Sequence, residues 1–370
     1  MSLVNRPFIR RRALVFLILA GLILMAAAVT AVLRARGSGT PSSLELPRES
    51  EILYLAPSSQ PELWISGVAG ESPRRLTDTG GGLYDYAASP DGAWIAYSVR
   101  NQQGGYDLWE MDRQSAASMI LPCGTDWCIS PAYSPDNRRI AYSRRRFSGL
   151  AGAEAGAPRL WMYDRETGQT DTLFIDVNIG GADPAWSPDG RYLAFLDGLQ
   201  LELRVADMQG ENDVSLPAAE DSQFSWSPDS RSLLLTRSDV AHDHPYTFLV
   251  VVDIQARQEQ VWMEDEELDT SVPVWSPQGD RLAVARRVIH DGPGKQIWLL
   301  DSGAAPLQQL TDNPQANHAA YQWSPDGTRL VFQRLGFGSS SSLPELLLWD
   351  SRDSSTRVLV EDAFQPSWIR

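Results

Sequence analysis

Lysine is nearly absent from this 370-residue chain, in which Lys295 is the only one. Basic charge is also scarce beyond residue 36. The first 36 residues hold six arginines and no acid, and the other 334 carry 26 basic against 47 acidic side chains. A body with this excess of negative charge repels phosphate backbones, so the composition argues against nucleic acid as a partner.

Cysteine is equally scarce, since Cys123 and Cys128 within "PCGTDWCIS" are the only two. Outside the cytoplasm such a pair favours a disulfide, with free thiols as the alternative. A metal site at this place would need two further ligands nearby. The disulfide would close a short loop and stabilise the fold by about 2 kcal/mol.

Charge is missing altogether from residues 13–33, "ALVFLILAGLILMAAAVTAVL". Twenty-one helical residues span about 31 Å, which matches the hydrocarbon core of a bilayer. We therefore expect a cytoplasmic basic tail over 1–12, a transmembrane signal-anchor helix over 13–33 and a flexible linker over 34–50. The alternative is a cleaved signal peptide ending near "VTA" at 29–31, and both interpretations place the body on the extracytoplasmic side.

Familiar catalytic motifs are also lacking. The chain contains no G-x-S-x-G, no H-E-x-x-H and no Walker loop. From this we expect a protein that is not an enzyme and that needs no cofactor.

One motif, by contrast, occurs six times. The copies, which begin at residues 89, 134, 187, 227, 276 and 324, read "SPDGAWIAYS", "SPDNRRIAYS", "SPDGRYLAFL", "SPDSRSLLLT", "SPQGDRLAVA" and "SPDGTRLVFQ". Proline presets the first corner of a turn, aspartate bonds the following backbone, and glycine accepts the position after it. The motif thus predicts the tight turn of a β-hairpin.

Each copy also predicts a buried strand after the turn, because adjacent residues such as Ile95, Ala96 and Tyr97 are all apolar. A third strand ending in an acid and a fourth strand follow. Four antiparallel strands per 40–53 residues are typical of one blade of a β-propeller. We therefore predict an all-β fold over 51–370.

The two ends of this region complete a further blade. Residues 51–78 match strands two to four, and "FQPSWIR" at 364–370 matches strand one. We therefore expect a seven-bladed β-propeller, closed by strand exchange between the termini. Six blades is the alternative.

The sequence "WSPDG", followed by a strand and then by "LW…D", resembles the repeats of TolB-like β-propeller proteins of the bacterial envelope. The same repeat type occurs in the propeller domain of prolyl-oligopeptidase relatives. The resemblance covers about residues 51–370 and implies the fold, while it is weak evidence for function. The peptidase relatives need a hydrolase domain beyond the propeller, which agrees with the expectation of a protein without catalysis.

The candidate binding surface is the face opposite the repeated turns, which we call the long-loop face. It receives the long connections predicted at 144–158, 237–245, 263–271, 286–295, 310–319 and 334–344. Loops on a rigid scaffold often carry binding residues. The candidates on this face are His242, Asp243, His244, Glu264, Asp265, Glu266, Glu267, His290, Asp291, His318, Arg144, Arg145, Arg146 and Trp127.

These candidates support different hypotheses. Imidazole and carboxylate groups together bind divalent cations, and His242, His244, His290 and His318 would be the ligands. Solvated loops, or an acidic patch facing a basic partner, explain the same residues without a metal, and we expect none. The three arginines at 144–146 are a possible anion clamp or a solvated strand end. Trp127 is the tryptophan we set apart from the core.

From the sequence we expect a membrane-anchored extracytoplasmic β-propeller that binds a protein or a cell-envelope polymer through its long-loop face. One alternative is a metal-dependent lyase or hydrolase acting on acidic saccharides through the histidine and acid sector. The other is a structural subunit of an envelope complex.

Overall fold

The computed structural model describes residues 50–68, 72–114, 116–147, 156–210, 213–219, 222–271, 273–301, 308–338 and 342–369. Every regular element in these ranges is a strand, which confirms the all-β prediction. None of the described segments forms a helix able to cross a bilayer. The predicted cytoplasmic tail, the transmembrane segment and all of the linker except residue 50 lie outside the described residues.

The strands are, in chain order, β1 Glu51–Ala56, β2 Glu62–Gly67, β3 Arg74–Arg75, β4 Leu83–Ala88, β5 Trp94–Arg100, β6 Tyr106–Asp112, β7 Ala117–Leu121, β8 Trp127–Tyr133, β9 Arg139–Arg145, β10 Arg159–Asp164, β11 Thr170–Thr172, β12 Ala182–Trp186, β13 Tyr192–Asp197, β14 Glu202–Asp207, β15 Val214–Pro217, β16 Phe224–Trp226, β17 Ser232–Ala241, β18 His244–Asp253, β19 Gln258–Met263, β20 Leu268–Thr270, β21 Val274–Trp275, β22 Arg281–Val288, β23 Gln296–Asp301, β24 Gln308–Gln309, β25 Ala316–Trp323, β26 Arg329–Gly336, β27 Glu345–Asp350, β28 Ser355–Glu361 and β29 Phe364–Ile369.

The repeated motif forms the predicted turn. In the first copy Ser89 Oγ donates to Asp91 Oδ1 at 2.6 Å and accepts the backbone N–H of Trp94 at 2.9 Å. Gly92, at the next position, has a φ of 66°, which glycine adopts at little cost. The short side chains therefore satisfy the backbone of the turn, and the same sequence gives the same hairpin each time.

The copy that departs from the motif keeps this chemistry. Gln278 stands where the other copies have aspartate, and Ser276 Oγ donates instead to Asp280 Oδ1 at 2.7 Å. Arg281 N donates to Ser276 Oγ at 3.0 Å, so the serine still links both sides of the turn. The carboxylate has moved two residues along the chain without loss of the hairpin.

The strands pair as antiparallel ladders of four. The sheets β12-β13-β14-β15 and β25-β26-β27-β28 are single ladders. Two larger sheets join neighbouring ladders through a parallel pair, Tyr106 with Trp127 in one and Thr247 with Asp269 in the other.

The C-terminal strand pairs with the N-terminal one. β29 lies antiparallel to β1, with Ile52 opposite Trp368 and Glu51 opposite Ile369, in the sheet β29-β1-β2-β3. This confirms the predicted pairing of the last residues with the strand at 51–56. The two ends of the described region are thus held in one sheet.

Apolar side chains fill the space between successive ladders. Tryptophans just before the repeated turn bridge that space, since Trp186 Nε1 donates to Ala132 O at 3.1 Å and Trp226 Nε1 to Ala185 O at 3.0 Å. Each indole N–H thereby satisfies a carbonyl of the preceding ladder while its ring packs in the core. Trp186 and Trp226 are partly buried against the core and therefore serve packing.

Candidate functional site

The connections on the long-loop face are shorter than predicted, because the strands run further. β17 extends to Ala241 and β18 begins at His244, so the connection predicted at 237–245 is a turn of His242 and Asp243. Both turn residues have left-handed φ values, 50° and 64°. The paired strands extend out of the ladder and place these two residues at the tip of a hairpin.

Three connections of two neighbouring ladders meet at that tip. Possible ligand atoms of His242, His244 and Glu267 all lie within 4.8 Å of one another. The His244 ring is 5.1 Å from that of His290, and His242 Nδ1 is 3.5 Å from Glu266 Oε2. We call His242, His244 and Glu267 the histidine cluster, with Glu266 and His290 at its edge. The structure therefore brings together three of the four histidines predicted to share this sector.

Strand β20 holds the acidic connection against the hairpin. Thr247 Oγ1, in β18, donates to Asp269 Oδ1 at 2.8 Å, and Leu268 pairs with Val288 of β22. Ile289 N also donates to Glu267 O at 2.9 Å. The position of the cluster is therefore set by backbone pairing as well as by its own side chains.

Charge around β20 is largely balanced. Asp269 lies 2.8 Å from Arg287 Nε and 3.0 Å from Lys295 Nζ. Burial opposes ionisation of Asp269, but these two cations and the hydroxyl of Thr247 hold its pKa below the usual value. The only lysine of the chain is therefore engaged in fixing this region.

The remaining acidic candidates lie around the cluster. Glu264 accepts a hydrogen bond from Tyr246 Oη at 2.9 Å, and Asp265 Oδ1 accepts one from Glu267 N at 3.1 Å. Asp243 is exposed in the hairpin turn, and Asp291 borders a neighbouring cavity.

The prediction that His318 belongs to this sector is wrong. His318 lies in β25, is only 2% exposed, and has Nδ1 3.1 Å from Lys295 O and its ring 5.9 Å from that of Phe332. Burial lowers its pKa. The physical reason is that β25 begins at Ala316, so residue 318 is part of a strand that packs into the core rather than of a loop.

A cavity of about 490 Å³ begins at Leu268, which follows Glu267 of the histidine cluster in the sequence. Its lining includes Leu268, Arg286, Val288, Asp291 and Trp298. Arg286 Nε is shielded from solvent and has no hydrogen-bond partner among the described residues. Burial lowers the pKa of Arg286. Sequence reasoning missed this arginine, because nothing in "ARRV" distinguishes it from its neighbour Arg287.

A second group on the same face is aromatic. Trp127, the first residue of β8, has its ring 5.2 Å from Tyr106 and 5.0 Å from Phe147, and Tyr84 lies 5.1 Å from Tyr106. Tyr84 is 45% exposed and the other three are half-buried. We call these four residues the aromatic cluster. Only Trp127 was predicted. The others could have been found from their position, since each lies where a strand meets the long-loop face.

A disulfide between Cys123 and Cys128, with Cα atoms 6.3 Å apart, supports the strand that carries Trp127. Asp107 Oδ1 accepts the backbone N–H of Cys123 at 2.7 Å and Asn101 donates to Asp107 Oδ1 at 2.8 Å. The pairing agrees with the preferred interpretation of the two cysteines. The loop before Trp127 is therefore fixed both covalently and by hydrogen bonds.

The structure does not assemble an anion clamp from the three arginines. Arg144 and Arg145 belong to β9, and Arg144 Nε is 2.9 Å from Asp126 Oδ2 with its guanidinium 5.1 Å from the Trp161 ring. Arg145 lies over Phe147 at 5.9 Å, at the edge of the aromatic cluster, and Arg146 is exposed. An ion pair already neutralises Arg144, so the clamp interpretation is wrong for this residue.

No family model matches the chain. It is 25% identical over 199 residues to an uncharacterized peptidase of Bacillus subtilis, YuxL, a match covering 52% of this chain and 28% of that protein. It is 30% identical over 118 residues to the Tol-Pal system protein TolB of Alcanivorax borkumensis, covering 30% and 25%. The chain thus spans about a quarter of the length of these curated relatives.

Solved structures share the fold over most of the chain. A puromycin-hydrolyzing peptidase of Mycobacterium tuberculosis matches with a TM-score of 0.63 and 16% identity, covering 85% of this chain and 52% of that one. An oligogalacturonate lyase in complex with manganese matches at 0.57 and 14%, covering 84% of each. TolB of Acinetobacter baumannii matches at 0.50 and 16%, covering 84% and 79%.

These comparisons contradict the prediction that the protein is not an enzyme, because peptidases and a lyase are among its relatives and structural neighbours. The physical reason is that repeats specify a scaffold, while chemistry resides in sites that the scaffold carries, so missing short motifs exclude little. The fold itself is shared with the three solved structures. The chain has the fold of the TolB-like β-propeller proteins.

Proposed function

We propose that this chain is a seven-bladed TolB-like β-propeller that captures a protein or a cell-envelope polymer at its long-loop face. A segment at 13–33 tethers it to the membrane, with the propeller on the extracytoplasmic side. The blade count is supported by seven successive ladders: six have four strands, and in the remaining one β20 and β21 both pair with β22. One of the seven contains the first and the last described strands, β1 and β29. Pairing of the two ends in one blade would close the ring, and radial repetition of blades leaves only short sheet edges.

The aromatic cluster is the single observation that carries the proposal of ligand capture. Four rings form a continuous group with centroid distances of 5.0 to 6.5 Å, and Tyr84 is 45% exposed. Tyrosine, tryptophan and arginine are the side chains most enriched where binding energy concentrates, and Arg145 flanks the group. The ordering cost of binding is small here, because strand pairing already holds Tyr84, Tyr106 and Trp127 and the disulfide supports the strand of Trp127.

The disulfide also supports the proposed location, because disulfides persist in oxidising compartments. Fractionation of intact cells tests it directly. The full-length chain is expected in the membrane fraction and accessible to protease added outside the cytoplasm. A chain found in the cytoplasmic fraction would contradict the proposal.

The test of ligand capture uses the full-length chain, solubilised in detergent and immobilised, with the envelope fraction of its source cell as the probe. The double variant Tyr84→Ala and Phe147→Ala removes two rings of the aromatic cluster. We expect it to retain less than about a tenth of the captured material, since truncation at binding centres costs 2 kcal/mol or more. The control is Val358→Ala, an exposed apolar residue on β28. Equal capture by both variants would contradict the proposal.

A second candidate function is a metal-dependent lyase or hydrolase reaction on acidic saccharides. The observation that favours it is that Leu268, the residue after Glu267 of the histidine cluster, lines a cavity of about 490 Å³ together with Arg286 and Trp298. An arginine can hold a sugar carboxylate and an indole can pack on a sugar ring. Similarity in fold to an oligogalacturonate lyase makes that class worth testing.

The experiment for this second function is an assay of polygalacturonate cleavage by the full-length chain, with and without a chelator. We expect unsaturated or reducing ends to appear, and we expect a chelator or Arg286→Ala to abolish them. Asp243→Asn, at the exposed hairpin turn, is the control that retains activity. Absence of any product, or product that is insensitive to the chelator, would refute this function.

A further inference from the structure

We infer that His242, His244 and Glu267 bind a divalent transition-metal ion of the Zn²⁺ type. The inference deepens the second candidate function by assigning the ligands. It is tested by metal binding alone, so either can fail without the other.

The distances fit one ion. Possible ligand atoms of the three residues lie within 4.8 Å of one another. The ligand atoms of a tetrahedral Zn²⁺ site with bonds of 2.0–2.2 Å lie about 3.3–3.6 Å apart. The three groups must therefore approach one another by up to about 1.5 Å, and the side chains of His242 and Glu267 are exposed and free to rotate towards the ion.

His244 supplies an independent argument. Its Nδ1 is shielded from solvent and makes no hydrogen bond within the described part of the chain. A buried polar atom without a partner costs free energy, and such atoms in folded proteins call for an explanation. Coordination of a cation in the cluster would satisfy the lone pair of a neutral imidazole. His244 is also the only partly buried residue of the three proposed ligands, since His242 and Glu267 are exposed.

Neighbouring groups resemble the outer shell of a metal site. Glu266 Oε2 lies 3.5 Å from His242 Nδ1, which leaves Nε2 of that ring to face an ion. Carboxylates in this position orient a ligating histidine and raise its basicity. The His290 ring is 5.1 Å from that of His244, close enough to support its orientation.

The donor set selects the class of metal. Two imidazoles and one carboxylate suit Zn²⁺ and its neighbours, whereas Mg²⁺ and Ca²⁺ require oxygen ligands. The acids Glu264, Asp265 and Asp291 lie around the cluster, and their carboxylates attract a cation. Three protein ligands leave the other coordination positions for water or a bound ligand. The cavity begins at Leu268, the residue after Glu267.

The experiment titrates Zn²⁺ into the purified full-length chain by calorimetry, after treatment with a chelator and dialysis. We expect one saturable equivalent per chain. His244→Ala should weaken binding by at least about 10–100-fold, the loss that even an outer-shell substitution causes. Mg²⁺ in tenfold excess should not compete.

The matched control is Asp243→Asn. Residue 243 lies between the two histidines at a φ of 64°, which asparagine tolerates as well as aspartate, so the turn is kept while one carboxylate is lost. We expect this variant to bind Zn²⁺ like the parent. The inference is overturned by a chain that shows no saturable equivalent, by His244→Ala binding as tightly as the parent, or by Asp243→Asn losing as much affinity as His244→Ala.

Discussion

Trp368 Nε1 donates a hydrogen bond to the backbone carbonyl of Gln322 at 3.0 Å, across the space between the last two ladders. Trp323 makes the equivalent bond to Val274 at 3.0 Å. An indole in the final strand therefore repeats the contact that Trp186, Trp226 and Trp323 make with the ladder preceding each of them. The C-terminal strand therefore contacts the preceding ladder in the same way as the strand that carries Trp323.

Replacement of Trp368 by alanine tests how much the terminal pairing stabilises the fold. The side chain is 9% exposed and packs with Ile52 and Val331. Loss of a buried tryptophan costs about 3–5 kcal/mol of the free energy of unfolding. Urea unfolding followed by tryptophan fluorescence measures this. Val358→Ala, on the exposed side of β28, should cost less than about 0.5 kcal/mol. A similar cost for both variants would show that the terminal strand contributes little.

Asp85 predicts a pH dependence of stability. Burial raises the pKa of its carboxyl group to about 6, although Ser130 N donates to Oδ2 at 2.6 Å. The folded state thus keeps its proton at a pH where the unfolded chain has lost it. The contribution of Asp85 to stability must then fall as the pH rises from about 4 to 7.

The matched variant is Asp85→Asn, which is neutral at every pH. The free energy of unfolding of the parent should drop relative to this variant by about 2–3 kcal/mol between pH 4 and pH 7. Chemical unfolding at both pH values measures the difference. A gap that stays constant, or that widens in favour of the parent at pH 7, would contradict a raised pKa.

The disulfide gives a prediction that links stability to binding. Substitution of both Cys123 and Cys128 by serine should lower the free energy of unfolding by about 2 kcal/mol, the value for a short closed loop. It should also weaken ligand capture, since Trp127 directly precedes Cys128. Urea unfolding and the envelope-capture assay measure the two effects. Full capture by the serine variant would show that the aromatic cluster does not need the bridge.

The repeated turns and the buried second strands could be predicted from the sequence, because the same local pattern occurs six times. The terminal pairing could be predicted because residues 51–78 and 364–370 supply complementary strands of one further ladder. Runs of adjacent apolar residues such as Ile95, Ala96 and Tyr97 indicate a strand that is buried on both faces, and all three side chains are buried. Strand ends on the long-loop face were predicted less well. The hairpin β17–β18 extends to Ala241, although the sequence "SDVAHDHP" is polar and looks like a loop.

Sites were harder to predict than elements. His242 and His244 lie on the β17–β18 hairpin, and Glu267 lies on the connection that leads to the next ladder. The sequence predicts that these connections share one face, and the structure brings the three residues together. Burial of His318 depends on where β25 starts, which no local signal marks. The aromatic cluster joins residues up to 63 positions apart, from Tyr84 to Phe147, and only a correct blade register brings them together.

The measurement that tests the account most directly is photo-crosslinking in intact cells, with a photoreactive amino acid placed at Tyr84 or at Arg138. The first position lies in the aromatic cluster, and the second is exposed in a repeated turn at the opposite end of the strands. We predict a crosslinked species of higher mass from position 84 and none from position 138. Crosslinks of equal yield from both positions, or from position 138 alone, would contradict the assignment of the long-loop face as the binding surface.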